Sequence, residues 1–135
     1  MSCVFCMIRD GQIPSTRVHE DDRTLAFMDI NPINPGHLLV IPKAHAPTVL
    51  DVADEDMVAC HRTAKRLAAA IQRALNPGGM VVAQFNGAAA FQSVPHFHVH
   101  LIPRWENDGK GFTWELIKGD PAKIADTAAK IRAAL

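Results

Sequence analysis

The sequence predicts an α+β fold, in which a five-stranded antiparallel sheet is combined with three helices. Two observations predict this class. Strand-like segments follow one another through short connections, which favours antiparallel pairing. One long segment with helical spacing separates the first three strands from the last two. A chain of 135 residues can bury a proper core, and we expect residues 1–135 to form a single domain.

The first third of the chain is predicted to form a short helix, a hairpin and a third strand. CVFCMIRDG is typical of a short amphipathic helix that Gly11 ends. STRVHE and TLAFMDI flank the polar turn EDDR and indicate a β-hairpin. NPINPG, residues 31–36, has two prolines and one glycine and is expected to be a loop. HLLVIP then predicts a strand that ends at Pro42.

The second part of the chain is predicted to contain the long helix, two strands and a last helix. A helix is expected from Asp54, its N-cap, to Leu75, because apolar residues recur there at helical spacing and NPGG follows. MVVAQFN (80–86) and HFHVHLI predict strands, the second stopping before Pro103, with GAAAFQSV as the loop between them. A helix begins at Asp120–Pro121. We expect the helices to cover one face of the sheet. The predicted buried stripe of the last helix is Ile124, Ala128, Ile131 and Leu135.

Charge, hydropathy and cysteine usage exclude several classes of protein. Basic and acidic residues number 14 each, whereas a general nucleic-acid binder needs a basic surplus. A small phosphate ligand is still possible, since a few local groups can hold it. The sequence shows no membrane-spanning run and no signal peptide, so we expect a cytoplasmic protein without membrane contact. Three cysteines make a disulfide framework unexpected, and Cys60 is predicted to be a small core residue.

Three of the seven histidines occupy alternate positions in PHFHVHLIPRW, at His96, His98 and His100. On a strand they share one face, and the intervening apolar side chains face the core. One such histidine is easily incidental, but three in a row indicate a function. Two chemistries are open at this point. Neutral imidazoles at this spacing can chelate a metal ion, and imidazoles that titrate near pH 7 can act as nucleophile and proton carrier.

QSVPHFHVHLIPR resembles the signature of the histidine triad (HIT) family, in which three histidines alternate with apolar residues. VFCMIRDGQIPSTRVHEDDRTLAFMDINPINPGHLLVIPKAH follows the N-terminal half of that family, so the resemblance covers about residues 3–105, and about 106–135 match no motif. The resemblance implies a nucleotide hydrolase or transferase acting at the α-phosphate of purine nucleoside phosphoramidates or dinucleoside polyphosphates. It also implies an AMP-type product and a homodimer.

The resemblance also implies catalytic roles for four residues. His98 is implied as the nucleophile that forms a nucleotidyl-imidazole intermediate, which water then cleaves. Its other ring nitrogen should donate to a fixed acceptor, for which a backbone carbonyl on the same strand suffices. A charged or donating imidazole at His100 would offset charge on the phosphate. Ser93 would relay a proton to the leaving group, and His37 matches a histidine near the phosphate. No catalytic metal is required.

A nucleotide pocket is implied around FMDINP, residues 27–32. Asp29 matches the acidic residue that binds the ribose hydroxyls, although a lone aspartate here could equally cap the next turn. The implied nucleotide-binding residues are Phe5, Phe27, Asp29, Ile30, Asn86, Gln92, Ser93, His98 and His100. Val4 and Ile8 would add to the base site. The sequence departs from the family pattern at two places in the loop that would face the leaving group. Phe91 stands where the family often has a glycine, and GAAA replaces a more polar loop.

Cys3 and Cys6 form a C-x-x-C motif at the predicted first helix. Two thiolates at this spacing can bind one zinc ion together with two further ligands, and a redox pair or two free thiols are the alternatives. Many bacterial members of the family have such a zinc site, and the resemblance implies that His45 and His96 complete it. Zinc would then be structural, since protein fills all four positions.

Two rival functions are compatible with these residues. The chain could be a zinc-stabilised nucleotide-binding or regulatory module with little turnover. Alternatively, it could be a metalloenzyme in which the three strand histidines hold a catalytic metal ion.

Overall fold

The computed structural model describes residues 3–111 and 116–135. Residues 1–2 and 112–115, which belong to the predicted domain and its C-terminal tail, lie outside the described residues. The three helices are α1 (Val4–Arg9), α2 (Asp54–Leu75) and α3 (Pro121–Ala133). The five strands are β1 (Arg17–Glu20), β2 (Thr24–Met28), β3 (Leu38–Pro42), β4 (Gly79–Gln84) and β5 (Val99–Arg104).

The strands form one antiparallel sheet in the order β1-β2-β3-β5-β4, which confirms the predicted α+β class. Strand β5, which begins within the histidine motif and contains His100, therefore lies inside the sheet, between β3 and β4. His100 is opposite Leu39 on one side and Ala83 on the other. This central position holds the backbone at His100 on both sides.

The helices do not all lie on one face of the sheet, so that prediction is wrong. The apolar stripe of α2 packs on one face, against Val40, Phe97, Val99 and Leu101 among others. The short α1 packs on the opposite face, where Phe5 and Ile8 contact Leu25, Phe27 and Ile41. The reason lies in β2 and β3, whose consecutive residues are nearly all buried and therefore need cover on both faces. Cys60 is a buried core residue, as predicted, and burial raises its pKa to about 12.

The strand predicted for HFHVHLI is displaced toward the C-terminus. The sheet pairing of β5 begins at Val99, and the Phe97 N–H ahead of it donates to the Ala46 carbonyl. The strand also continues through Pro103, because β3 pairs with β5 only as far as Leu101. Beyond that point β5 has a neighbour on one side only, where a proline is tolerated. The alternation of apolar and histidine side chains nevertheless holds.

The ends of the helices are close to the predicted positions, with one correction. Asp120 caps α3, and its carboxylate accepts a hydrogen bond from the Ala122 N–H. Ala53, not Asp54, is the N-cap of α2, and Asp54 lies in the first turn, where a negative charge favours the helix.

The buried stripe predicted for α3 is wrong. Ile124 and Ile131 are each 60% exposed and Leu135 is 99% exposed, because the sheet does not cover this helix. Ala128 is only half-buried.

No helix in residues 3–111 and 116–135 combines the length and apolarity needed to cross a bilayer.

Phe91 adopts a left-handed backbone conformation with φ of 66° and leaves 86% of its surface exposed. Such a conformation costs a non-glycine residue about 1–2 kcal/mol, whereas the greater freedom of glycine in the unfolded chain costs about 0.5–1 kcal/mol. We therefore expect Phe91→Gly to stabilise the protein by about 0.5 kcal/mol. Urea unfolding measures this difference. Ala90→Gly, in the same loop but at negative φ, is the control and should destabilise. Equal effects of both substitutions would contradict the expected strain.

Candidate functional site

The four side chains predicted as metal ligands converge beside the start of α1. The distances are 3.4 Å from Cys3 Sγ to His96 Nδ1, 3.5 Å from Cys6 Sγ to His45 Nδ1, and 3.6 Å from Cys6 Sγ to His96 Nδ1. His45 Nδ1 and His96 Nδ1 are 3.2 Å apart. A tetrahedral zinc ion separates a sulfur from a nitrogen ligand by about 3.5 Å, and two nitrogen ligands by about 3.3 Å. The four donor atoms therefore form a possible metal site with the spacing that zinc requires.

The protonation of His96 also suits a metal ligand. Its Nε2 lies 2.8 Å from the Pro42 carbonyl oxygen, which can only accept, so Nε2 carries the proton. The lone pair of Nδ1 then faces Cys3 and Cys6. The ring is fully buried, and burial lowers the pKa of His96 to about 4. The imidazole is thus neutral and held by an outer hydrogen bond, as metal-binding histidines usually are.

The electrostatics of Cys6 differ from those of a redox cysteine. Burial, and after it the neighbouring Cys3, raises the pKa of Cys6. A redox cysteine in a C-x-x-C motif has a lowered pKa instead. The raised pKa of Cys6 therefore does not support the redox alternative, and the spacing of the four donor atoms favours metal ligation.

The contacts of His98 leave one of its ring nitrogens unprotonated. Its Nδ1 lies 2.7 Å from the carbonyl oxygen of His96, which fixes the proton on Nδ1 because that oxygen can only accept. Nε2 is left with a free lone pair. Burial lowers the pKa of His98, so the ring stays neutral at pH 7. The expected backbone acceptor is therefore present, two residues before His98 and just ahead of β5.

Two further histidines form a hydrogen-bonded chain whose protons can be assigned. The Ile33 N–H donates to His37 Nδ1 at 3.0 Å, so the proton of the His37 ring is on Nε2. Nε2 then donates to His100 Nδ1 at 2.9 Å, which places the proton of His100 on its own Nε2. Burial, followed by the charges of His98 and His37, lowers the pKa of His100 to about 4. His100 is therefore a neutral donor and not a charged one.

The structure argues against a catalytic metal held by the three strand histidines. Asp29, His37 and His100 do bring three potential ligand atoms close together, but a metal would need the nitrogen of His37 that carries the proton. His98 belongs to neither of the two groups of potential ligands found among the described residues. His96 lies in the cysteine group and His100 in the other, so the triad is divided between them.

A cavity of about 290 Å³ opens beside His98 and His100, on the α1 face of the sheet. Seven of the predicted nucleotide-binding residues line it: Phe5, Phe27, Asp29, Ile30, Ser93, His98 and His100. Val4 and Ile8 of α1 complete an apolar wall. Two larger surface depressions, of about 500 and 560 Å³, have neither a histidine nor a cysteine among their described lining residues. The two histidines therefore identify the cavity beside α1 as the candidate functional site.

Asp29 has two contacts at the edge of this cavity. Its Oδ1 accepts a hydrogen bond from the Asn31 N–H at 2.8 Å, which is the turn-capping role considered from the sequence. Its Oδ2 lies 3.4 Å from His37 Nε2. Asp29 lines the cavity as well, so turn capping and ribose binding are compatible.

Asn86 and Gln92 connect two loops next to the cavity. Gln92 accepts from the Gly87 N–H and donates to the Pro47 carbonyl, at 2.7 and 2.6 Å. Asn86 Oδ1 accepts from the Val49 N–H at 2.7 Å. Neither side chain is part of the cavity lining, and their nucleotide-binding roles stay predictions. His37 also lies behind the lining, where it contacts the lining residues His100 and Asp29.

The comparison with known families agrees with this geometry. Residues 10–107, most of the chain, match the model of the HIT domain. The chain belongs to the HIT family.

Three known proteins extend the comparison over nearly the whole chain. The HIT-family structure from Bacillus subtilis has a TM-score of 0.92 and 37% identity, and the alignment covers 100% of this chain and 98% of that one. A Zn-bound histidine triad family protein from Mycobacterium smegmatis has a TM-score of 0.79 and 35% identity, with 100% and 99% covered. The adenosine 5'-monophosphoramidase hnt1 of Schizosaccharomyces pombe is 38% identical over 125 residues, 92% of this chain and 91% of that protein. The predicted family and fold are confirmed.

Sequence reasoning anticipated a backbone acceptor for His98 but missed the backbone groups that contact His37 and His96 in this HIT domain. The Ile33 N–H and the carbonyl oxygens of Pro42 and His96 decide which nitrogen of each histidine carries a proton. Backbone atoms leave no signal in a residue pattern. Leu39 was also missed as a lining residue, although its pairing opposite His100 makes it a neighbour once strand register is known.

Proposed function

We propose that this HIT-family chain cleaves purine nucleotides at the α-phosphate through a covalent intermediate on His98. The hydrogen bond from His98 Nδ1 to the His96 carbonyl carries the proposal, because it leaves an unprotonated Nε2 at the wall of a cavity. Neutral imidazole with a fixed tautomer is a competent nucleophile toward phosphorus. The activity in the name of the S. pombe relative supports the same chemistry.

In the first step, His98 Nε2 forms a bond to phosphorus as the P–N bond of a nucleoside phosphoramidate breaks. The Nδ1–H bond to the His96 carbonyl stabilises the positive charge that the ring acquires. The Nε2–H of His100 donates to a phosphate oxygen. The leaving nitrogen takes a proton from water through the Ser93 hydroxyl. The resulting hydroxide then displaces His98, so one water molecule balances both steps and AMP is released.

The lining favours a small leaving group over a polyphosphate chain. None of the described lining residues is a lysine or an arginine, and Asp29 is acidic. Ala88–Ala90, beside the cavity loop, form a short 3-10 turn without charged side chains. A polyphosphate leaving group needs cations to offset its charge, whereas an amine does not. Among the two substrate classes implied by the resemblance, we propose the nucleoside phosphoramidates.

The proposed activity is tested with adenosine 5'-monophosphoramidate and diadenosine tetraphosphate as parallel substrates. We expect AMP release from both, with kcat/KM at least about tenfold higher for the phosphoramidate. Tight AMP binding without release from either substrate would favour the rival function, a nucleotide-binding module. Faster cleavage of the tetraphosphate would contradict the proposed substrate class.

We further propose that the ion held by Cys3, Cys6, His45 and His96 is a structural zinc ion. The donor spacing and the Zn-bound relative support this. Four protein ligands close the coordination sphere, so zinc would supply stability and not activate water. The proposed chemistry requires no catalytic metal. A single domain, a homodimer, the absence of nucleic-acid and membrane partners, and a cytoplasmic location stay predictions from the sequence.

The lowered pKa of His100 predicts an enzyme that tolerates mild acid. With a pKa of about 4 in the folded protein, against 6.5 in an unfolded chain, His100 stays neutral down to about pH 5. We expect the acid limb of kcat/KM to lie below about pH 5. Between pH 6.5 and 4 the His100 imidazole is protonated in the unfolded chain but neutral in the folded protein. The free energy of unfolding therefore falls as the pH is lowered. His100→Gln should reduce this loss of stability. An acid limb near pH 6.5 that His100→Gln removes would show that His100 is not the neutral donor inferred from its contacts.

A further inference from the structure

Helix α1 belongs to both the metal site and the nucleotide cavity. Cys3 and Cys6 carry two of the potential metal ligands, and Phe5 between them lines the cavity. The Phe5 ring is buried, and its centroid is 5.0 Å from that of His98, with the two planes at 88°. Phe5 also meets Phe27 edge-on, at 5.3 Å. The position of this one ring therefore shapes the cavity wall and contacts the nucleophile.

His96 joins the two sites a second time. Its Nδ1 faces the cysteines, its Nε2–H donates to Pro42, and its carbonyl accepts the proton on His98 Nδ1. The residue that would bind the metal thus provides the acceptor that sets the tautomer of His98. A shift of its peptide would change that hydrogen bond directly.

Helix α1 is too short to hold this position unaided. It has six residues, and among the described side chains none caps its N-terminus. Helices of this length are unstable in isolation. Its C-terminal end is held by Arg17, which donates to the carbonyls of Ile8 and Arg9. At the N-terminal end, where Cys3 and Cys6 lie, a metal ion would be the corresponding attachment.

We propose that the metal site positions the nucleophile and the base-binding wall, in addition to stabilising the fold. Cys3 and Cys6 act as positioning residues through Phe5, and His96 acts through its carbonyl. The inference rests on the proposed function of the cavity as an AMP site. It requires that loss of the metal weakens AMP binding and loosens the His98 hydrogen bond while the sheet stays folded.

The test compares zinc-loaded protein, chelator-treated protein and protein reloaded with Zn²⁺. Calorimetry measures the Kd of AMP, and NMR measures the exchange with water of the His98 Nδ1 proton. We expect removal of zinc to weaken AMP binding and to speed proton exchange, each by about tenfold or more, with recovery on reloading. Circular dichroism confirms that the sheet persists. If stripping unfolds the chain, Cys6→Ser, which keeps three ligands, provides the comparison.

Two variants separate positioning from general stability. Leu67→Ala removes a buried side chain from α2, on the opposite face of the sheet, and should destabilise the fold without changing either readout. Phe5→Leu should weaken AMP binding while zinc content stays unchanged. Equal AMP affinity and equal proton exchange with and without zinc would overturn the inference. If loaded protein bound no AMP at all, the proposed function would fail, and the proton exchange would still decide the coupling.

Discussion

Replacement of His98 by asparagine is expected to lower turnover of adenosine 5'-monophosphoramidate by at least about 10⁴-fold, the scale seen when a covalent nucleophile is lost. Asparagine has no nitrogen lone pair that can attack phosphorus. Its amide can still donate to the His96 carbonyl, so the fold and AMP affinity should change little. AMP release under single-turnover conditions, with calorimetric AMP binding on the same sample, measures both effects.

The matched control for this variant is His61→Asn. His61 is an exposed histidine of α2 whose Nδ1 contacts the Met57 carbonyl. We expect its activity to equal that of the unmodified protein. Turnover that survives His98→Asn within about tenfold would exclude a covalent role for His98 and leave only binding and charge stabilisation by His100.

Replacement of His96 by alanine is expected to have the largest effect on stability. The substitution removes a potential metal ligand and a fully buried ring that donates to Pro42. Because metal binding contributes directly to folding, we expect bound zinc to be lost and unfolding to become easier by about 3–5 kcal/mol. Elemental analysis measures the zinc content, and urea unfolding measures the free energy.

His98→Asn provides the comparison for His96→Ala. The two histidines are two residues apart and equally buried, but only His96 faces the cysteines. His98→Asn should therefore keep its zinc and lose less than about 1.5 kcal/mol. If both variants lost zinc and stability alike, the division of the triad between a metal site and a catalytic site would be wrong.

The residue pattern was informative where side chains alternate along the chain. Phe97, Val99 and Leu101 enter the core while the histidines occupy the other side, as the alternation predicts. The pattern failed for α3, where Ile124 and Ile131 repeat at helical spacing but are exposed. Periodicity reports that a helix has an apolar side, but it does not report whether the rest of the chain covers that side.

The side of the sheet on which α1 packs was not predictable from α1 alone. Its apolar residues fit either face, and the choice depends on β2 and β3, which are buried on both faces. A consecutive apolar run such as TLAFM is a sequence signal for such a strand. With that signal, a second covered face could have been expected, although not which helix covers it.

By itself the sequence determined the class of fold, the order of its elements and the residues that make the candidate site. These features depend on composition and spacing, which a linear pattern records. Only the tertiary structure decided which ring nitrogen of each site histidine carries the proton. The proton on His96 depends on the distant Pro42 carbonyl, and the protons on His37 and His98 depend on backbone groups close to them in sequence. The proton on His100 depends on the side chain of His37. Backbone N–H and C=O groups recur along the whole chain, so only their placement in space decides these tautomers.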